Sequence, residues 1–202
     1  LANNDNNSIL NNNIYDCFNA NTATAGIDIC AGNNNFTISN NSYYKSAALT
    51  YTYATAAITH RGFWVTPGSS AVGSSGYTIT GNFIGGTAAS CGGSAYTMLG
   101  AVTTVFHGMD ISVGTLSTSN VNNNTLKNIA FTTTSTANPY FTGISIASGN
   151  VNVGNTVGTG NTIGSGTGNG SITINNSTTS SSTSVAYGIR AVGGAILNAN
   201  YN

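Results

Sequence analysis

Two short patterns of apolar and polar positions alternate along this chain. In the first, a glycine is followed by apolar residues at the next and third-next positions. It runs Gly26-Ile27-Asp28-Ile29, Gly62-Phe63-Trp64-Val65, Gly108-Met109-Asp110-Ile111, Gly143-Ile144-Ser145-Ile146 and Gly188-Ile189-Arg190-Ala191. In the second, an asparagine has an apolar residue three before it and another two after it. It runs Leu10/Asn13/Tyr15, Ile38/Asn41/Tyr43, Ile79/Asn82/Ile84 and Val121/Asn124/Leu126, with degenerate copies at Asn155/Val157 and Leu197/Asn200. The two patterns interleave from one end to the other.

Apolar residues spaced by two mark strands whose alternate side chains enter a core. Gly and Asn turn a chain easily because they enter left-handed backbone conformations at low cost. A strand, a tight turn, another strand and a variable loop, repeated along the chain, predicts an all-β parallel β-helix, right-handed, of about five coils with variable loops. Each coil takes one strand from the Gly pattern and one from the Asn pattern. A third is expected from the variable stretch, as at Ala101–Val105, Asn128–Phe131 and Ser171–Ile174. Thr132–Pro139, Gly158–Gly170 and Ser177–Ser184 read as loops leaving the coils. Recurrence of Asn13, Asn41, Asn82, Asn124, Asn155 and Asn200 in register predicts structural turn residues, their amides bonding from coil to coil as a ladder.

Composition changes the picture in one direction. Asn, Thr, Gly and Ser number 31, 30, 26 and 23, while Lys+Arg and Asp+Glu number four each, for a net charge of zero. A soluble domain carries roughly 25% charged residues, against 4% here. Nucleic-acid binding requires a basic footprint that this chain lacks. Membrane-surface helices need Lys/Arg faces, and no run approaches the roughly 18 apolar residues of a spanning helix. Disorder is disfavoured by ten Tyr, seven Phe and abundant β-branched residues. A solenoid suits such a chain because hydrogen bonds between coils supply the cohesion. Neither end carries a cap, so residues 1–202 read as one solenoid segment of a longer chain. Its partners are then flanking coils of that chain or neighbouring subunits.

Candidate chemistry is sparse. The acids are Asp5, Asp16, Asp28 and Asp110, no two within ten residues. Aligned on the Gly pattern, the second position reads Asp28, Trp64, Asp110, Ser145 and Arg190 in successive coils, one outward-facing column. Two carboxylates two coils apart invite comparison with a glycosidase pair, but no basic or histidine neighbour is evidently poised to tune either acid. No catalytic residue is assigned. The column Asp28, Trp64, Asp110 fits glycan binding better, an indole stacking on a sugar ring between acceptor carboxylates. His60 and His107 stand at non-equivalent positions and read as strand-edge residues. No metal site and no cofactor is expected from the Cys and His spacing. Cys17 and Cys30 are near enough in sequence to form a disulfide, leaving Cys91 over. A flat threonine ladder of the ice-binding kind needs Thr in every coil, and the outward position just before each Asn turn reads Asn11, Ser39, Thr80, Asn122, Val153 and Asn198 instead.

The alternation of I-x-x-N-x-I turns with G-I-x-I strands, in an Asn/Thr/Ser/Gly background, resembles the repetitive β-helix surface adhesins of Bacteroidota-type bacteria. These are large proteins exported by the type IX route, some serving gliding motility. A weaker likeness is to chlamydial polymorphic autotransporter passengers, through Gly193-Gly194-Ala195-Ile196 and Phe18-Asn19-Ala20-Asn21. Both resemblances imply an extracellular, cell-surface location and attachment rather than catalysis. The expectation is a structural or adhesive solenoid segment of a secreted bacterial surface protein or filament. The alternative is a carbohydrate-binding or carbohydrate-cleaving β-helix protein.

Overall fold

The computed structural model describes residues 4–19, 21–50, 58–67, 74–100, 102–165, 171–178 and 185–200. It is nearly all β, a solenoid of parallel β-helix type whose strands pair parallel from coil to coil. Four faces recur, one more per coil than the periodicity predicts. The first face is built from Ser8–Leu10, Thr37–Ser39, Thr78–Thr80, Ser119–Asn122, the second half of Phe141–Val153, and Ala195–Ala199. The second holds Asn13–Tyr15, Ser42–Tyr44, Phe83–Ile84, Thr125–Leu126 and Thr162–Ile163. The third holds Leu49–Thr50, Tyr96–Leu99, Ile129–Thr133 and Ile172–Asn176. The fourth carries the Gly pattern: Thr24–Ile29, Ile58–Val65, Thr104–Ser112, the first half of Phe141–Val153, and Ala186–Ala191. The third strand of the middle coil is thus Tyr96–Leu99 and not Ala101–Val105, whose last two residues open a strand of the fourth face. The stretches expected to be loops partly join the sheets, through Thr132–Thr133 and Thr162–Ile163; residues 166–170 and 179–184 lie outside the described residues.

Inward side chains of all four faces share one core. Ile9, Ile38, Ile79, Val121 and Val153 line up on the first face. Ile14, Tyr43, Ile84, Leu126 and Ile163 do so on the second. Ile27, Phe63, Met109, Ile144 and Ile189 do so on the fourth. Each fully buried member of such a column contributes roughly 1.5–3 kcal/mol.

The corner between the first and second faces is a continuous amide ladder. Asn41, Asn82 and Asn124 are fully buried. The backbone N–H and the side-chain amide of Asn12 both donate to Oδ1 of Asn41, at 3.0 and 2.9 Å. Asn41 does the same to Asn82, Asn82 to Asn124, and Asn124 to Asn161. The amide's other hydrogen reaches back to the preceding coil, from Asn41, Asn82, Asn124 and Asn161 to the carbonyls of Ile9, Ile38, Ile79 and Val121. One side chain thereby links three coils, with two donors and two acceptor sites filled, the full capacity of a carboxamide.

Three of the expected ladder positions are displaced. Asn12, not Asn13, occupies the first rung; Asn13 is exposed and pairs with Ser42. Asn161, not Asn155, occupies the fifth, because Gly154–Gly160 is inserted before it. Asn200 immediately follows Ala199, the register partner of Val153, and so sits short of the ladder position three residues on. The turn itself is also made differently from the expectation. The left-handed residue is the one before each rung: Asn11, Asn40, Gly81 and Asn123, with φ of 57°, 55°, 66° and 56°.

The glycine column likewise has another cause. Gly26, Gly62, Gly108, Gly143 and Gly188 do not have left-handed φ; the first four are required by close approach, while at Gly188 a Cβ would come no nearer than 4.0 Å to Ile163 Cδ1. A Cβ on Gly62 would lie 2.5 Å from the carbonyl oxygen of Gly108 and 2.9 Å from Ile84 Cδ1, and a Cβ on Gly143 would lie 2.5 Å from the carbonyl oxygen of Gly188. The stacked corner leaves no room for a methyl group.

Two stability predictions follow from these columns. Asn82→Ala leaves the buried N–H of Asn41 and the carbonyl of Ile38 without their partners, at about 1–3 kcal/mol for each group. It should therefore lower unfolding free energy far more than Asn12→Ala at the exposed end of the ladder, as denaturant titration would show. Gly62→Ala should cost at least about 1–3 kcal/mol through forced repacking, whereas Gly193→Ala, where a Cβ meets nothing within 4 Å, should be tolerated. Comparable thermal midpoints for those two variants would contradict the close-approach explanation.

Candidate functional site

The outward side of the fourth face concentrates the chain's scarce chemistry. Four of its eight charged residues, both histidines and the single Trp lie on these strands. Each Gly corner is flanked by two outward positions, three residues apart, which stack into two adjacent columns. One reads Ala25, Arg61, His107, Thr142, Tyr187; the other reads Asp28, Trp64, Asp110, Ser145, Arg190. The register of the second column is the one the sequence predicts.

The two columns interlock. Arg61 Nε donates to Asp110 Oδ2 at 2.7 Å, and the Arg61 guanidinium lies 4.3 Å from the Trp64 ring centre. His107 Nδ1 stands 3.3 Å from the same Asp110 oxygen. In the last coil, Arg190 covers Tyr187 at 5.6 Å. These contacts change the roles of the predicted residues. Asp110 is only 9% exposed and Ser145 3%, so the column does not present five open side chains. Burial alone would push the Asp110 carboxyl up, but the nearby His107 imidazole and the hydrogen bond and charge of Arg61 outweigh it and hold the carboxyl below its usual range. Asp110 anchors Arg61 and does not face a ligand. Asp28 remains exposed.

Beside Asp28 the surface is hollowed into a cleft of about 180 Å³, lined by Ala23, Thr24, Ala25, Asp28, Arg61 and Trp64. A larger hollow, about 440 Å³, lies among core positions of the last coil, including Phe141, Ile163, Ile172 and Ile174. It gathers no charged group. The smaller cleft, where a carboxylate, a guanidinium and an indole converge, is the better candidate site.

Arg61 was invisible as a site residue while only one outward column was considered; its signal is its place three residues before Trp64, across the Gly corner. Asp5, Asp16 and Lys45 have structural duties. Asp16 accepts from the Ser46 N–H and hydroxyl, at 3.0 and 2.6 Å, and pairs with Lys45 at 3.1 Å. Asp5 accepts from Asn35 at 2.9 Å. The anticipated Cys17–Cys30 bridge is not made. Both are exposed free thiols that leave different faces of the first coil, and Cys91 is a buried one. Among the described residues, no three His, Cys, Asp or Glu side chains are placed to hold a metal ion.

The two histidines point opposite ways. His107 is outward, while His60 is inward, in the column that continues as Phe106 and Phe141, and is 1% exposed. Its Nδ1 lies 2.7 Å from Thr24 Oγ1, and Phe18 packs on its ring at 5.0 Å. Burial, with the Arg61 charge beside it, pushes the imidazole down to about 4 from 6.5.

No family model matches this chain, and no curated protein or solved structure shows a significant likeness to it.

His60 generates a pH prediction. Between pH 6.5 and about 4 the unfolded chain binds a proton here that the folded chain refuses. Stability is therefore complete above pH 6.5 and declines as pH falls toward 4, by about 3 kcal/mol in all. Denaturant midpoints at pH 7, 5.5 and 4.5 would show the decline, and His60→Gln should flatten it over this window. The share due to Asp110, whose folded carboxyl is depressed, is lost only at lower pH, below the unfolded value of 3.8.

Proposed function

We propose that this chain is a structural and adhesive β-solenoid segment of a large secreted bacterial cell-surface protein, attaching to its target through the fourth face. The observation that supports it most is the segregation of chemistry. Cohesion rests on the stacked backbone and the Asn ladder, neither of which needs charge, while half the charged residues and the only Trp are gathered outside the core's duties on one face. A near-neutral surface elsewhere suits a segment fixed in a larger assembly, because a freely diffusing domain relies on net charge to stay dispersed. Catalysis fits less well. A general acid needs a carboxyl raised toward the working pH, whereas Asp110 is held ionised by Arg61 and His107. The second reading is a carbohydrate-binding protein with no attachment role, which the cleft beside Asp28 favours.

Beads coated with the chain, drawn across a mucin-coated surface under flow, test the attachment reading. Asp28→Asn with Trp64→Leu should cut bead retention about tenfold, equivalent to about 1.4 kcal/mol. Thr97→Ala with Thr173→Ala, on the outward side of the third face, should leave it unchanged. Equal retention for both pairs, or none for the parent chain on any polysaccharide-coated surface, would sink the reading.

A further inference from the structure

The cleft has a local cause. In the column Ala25, Arg61, His107, Thr142, Tyr187 the first-coil neighbour of Arg61 is the methyl group of Ala25, so among the described residues that column sets no bulky side chain against it there. Its guanidinium is tied toward the other side by Asp110. The space over Ala25 is left open, with Ala23 and Thr24 completing its wall and Asp28 and Trp64 beside it.

We infer that this cleft binds one neutral pyranose ring, held through adjacent hydroxyls between the Asp28 carboxylate and the Arg61 guanidinium, with its C–H surface against Ala23, Ala25 and Trp64. This rests on the reading that the fourth face is the attachment face, and it names the ligand class. A carboxylate only accepts hydrogen bonds and a guanidinium only donates them. A ligand meeting both side by side must itself do both, as a pair of neighbouring hydroxyls does. Arg61 has spent its Nε on Asp110, and the donors on its two terminal nitrogens are the ones such a ligand would meet. Charge selects further: Arg61 and Asp110 cancel, so Asp28 gives the site a net charge of minus one, which disfavours phosphate, sulfate or a uronic acid. Size limits the ligand to one ring, because the roughly 180 Å³ of the cleft is below the 300–1,000 Å³ typical of drug-sized pockets. The Arg61–Asp110 pair, 16% and 13% exposed, holds the guanidinium in place before any sugar arrives.

Trp64 is the chain's only tryptophan, so indole fluorescence reports on this site alone. The test titrates the 202-residue chain with the methyl pyranosides of mannose, galactose and glucose, and with methyl glucuronide and glucosamine. At least one neutral pyranoside should give a saturable change with a midpoint of order 1 mM, the affinity range of a few hydrogen bonds and one small apolar contact. Asp28→Asn, an exposed isosteric change, should weaken it at least about tenfold with the thermal midpoint unmoved. Arg61→Lys, which keeps the charge but loses the planar fork, should weaken it similarly. No saturable change with any neutral pyranoside up to about 100 mM, well beyond the expected midpoint, overturns the inference. So does a response to glucuronide alone or to glucosamine alone, or a neutral-sugar response unaltered in both variants. Sugar binding without bead retention would defeat the attachment reading and leave this one standing. Retention lost in Asp28→Asn/Trp64→Leu, with no neutral-sugar response, would do the reverse.

Discussion

Every residue in a β-solenoid has a neighbour about 4.8 Å away at the same position of the next coil, and that spacing governs what each position can be. An Asn amide can follow another Asn amide at this distance, because the oxygen of each rung accepts from the rung before it while its own amide donates to the rung after; Asn41, Asn82 and Asn124 show the result. A glycine can sit on a glycine where a Cβ would meet the next carbonyl oxygen, as along Gly62, Gly108 and Gly143. Branched and aromatic side chains can stack inside. A like charge cannot follow a like charge cheaply. The low charge of the chain is therefore what the stacking rule allows, and where charges do stack away from the fourth face, as in Asp16–Lys45, they are of opposite sign.

The fourth face shows how charge is accommodated where it does occur. Asp28 and Asp110 share a column but are separated by Trp64. Arg61 stands in the neighbouring column, reaching diagonally to Asp110 and lying over the indole. A base placed diagonally neutralises one acid without stacking on its own kind, and leaves the other acid to face outward. Within the last coil, Arg190 makes the other kind of contact seen at Arg61, lying over an aromatic ring, here that of Tyr187. A buried pair of this sort adds little net stability, so its retention here is better explained by what it positions.

Much of this architecture was legible in the sequence, because the period-two apolar spacing and the recurring Gly and Asn are direct consequences of stacking. The coil number, the parallel strands and the register of Asp28, Trp64 and Asp110 follow from it. The errors have physical sources. In the run Asn11-Asn12-Asn13 three identical side chains offer three registers, and only the left-handed backbone at Asn11 and the inward Ile9 and Ile14 select Asn12. The inserted stretch before Asn161 breaks a count that the hydrogen bonds preserve. Turn chemistry assigned to the repeated Gly and Asn belongs to the residue preceding each Asn, and the Gly column answers to sterics. The fourth face per coil was hidden because the Asn pattern straddles the ladder corner: its apolar residues before and after the Asn belong to the first and second faces, and second-face strands such as Phe83–Ile84 are too short to show a period of their own.

Candidate chemistry was half legible for a related reason. A column is visible once the repeat is aligned, so Asp28 and Trp64 could be placed; a diagonal is visible only when two columns are aligned together. Read with both outward positions at each Gly corner, the sequence gives Ala25/Asp28, Arg61/Trp64, His107/Asp110, Thr142/Ser145 and Tyr187/Arg190. The first pair combines the smallest side chain with an acid, and the second combines a base with an indole. A void bounded by opposite hydrogen-bonding characters is the consequence, and it arises where Ala25 is the neighbour of Arg61 in that column. There a ligand meets an acceptor on Asp28 and donors on the Arg61 terminal nitrogens, whereas the amides of the ladder satisfy one another.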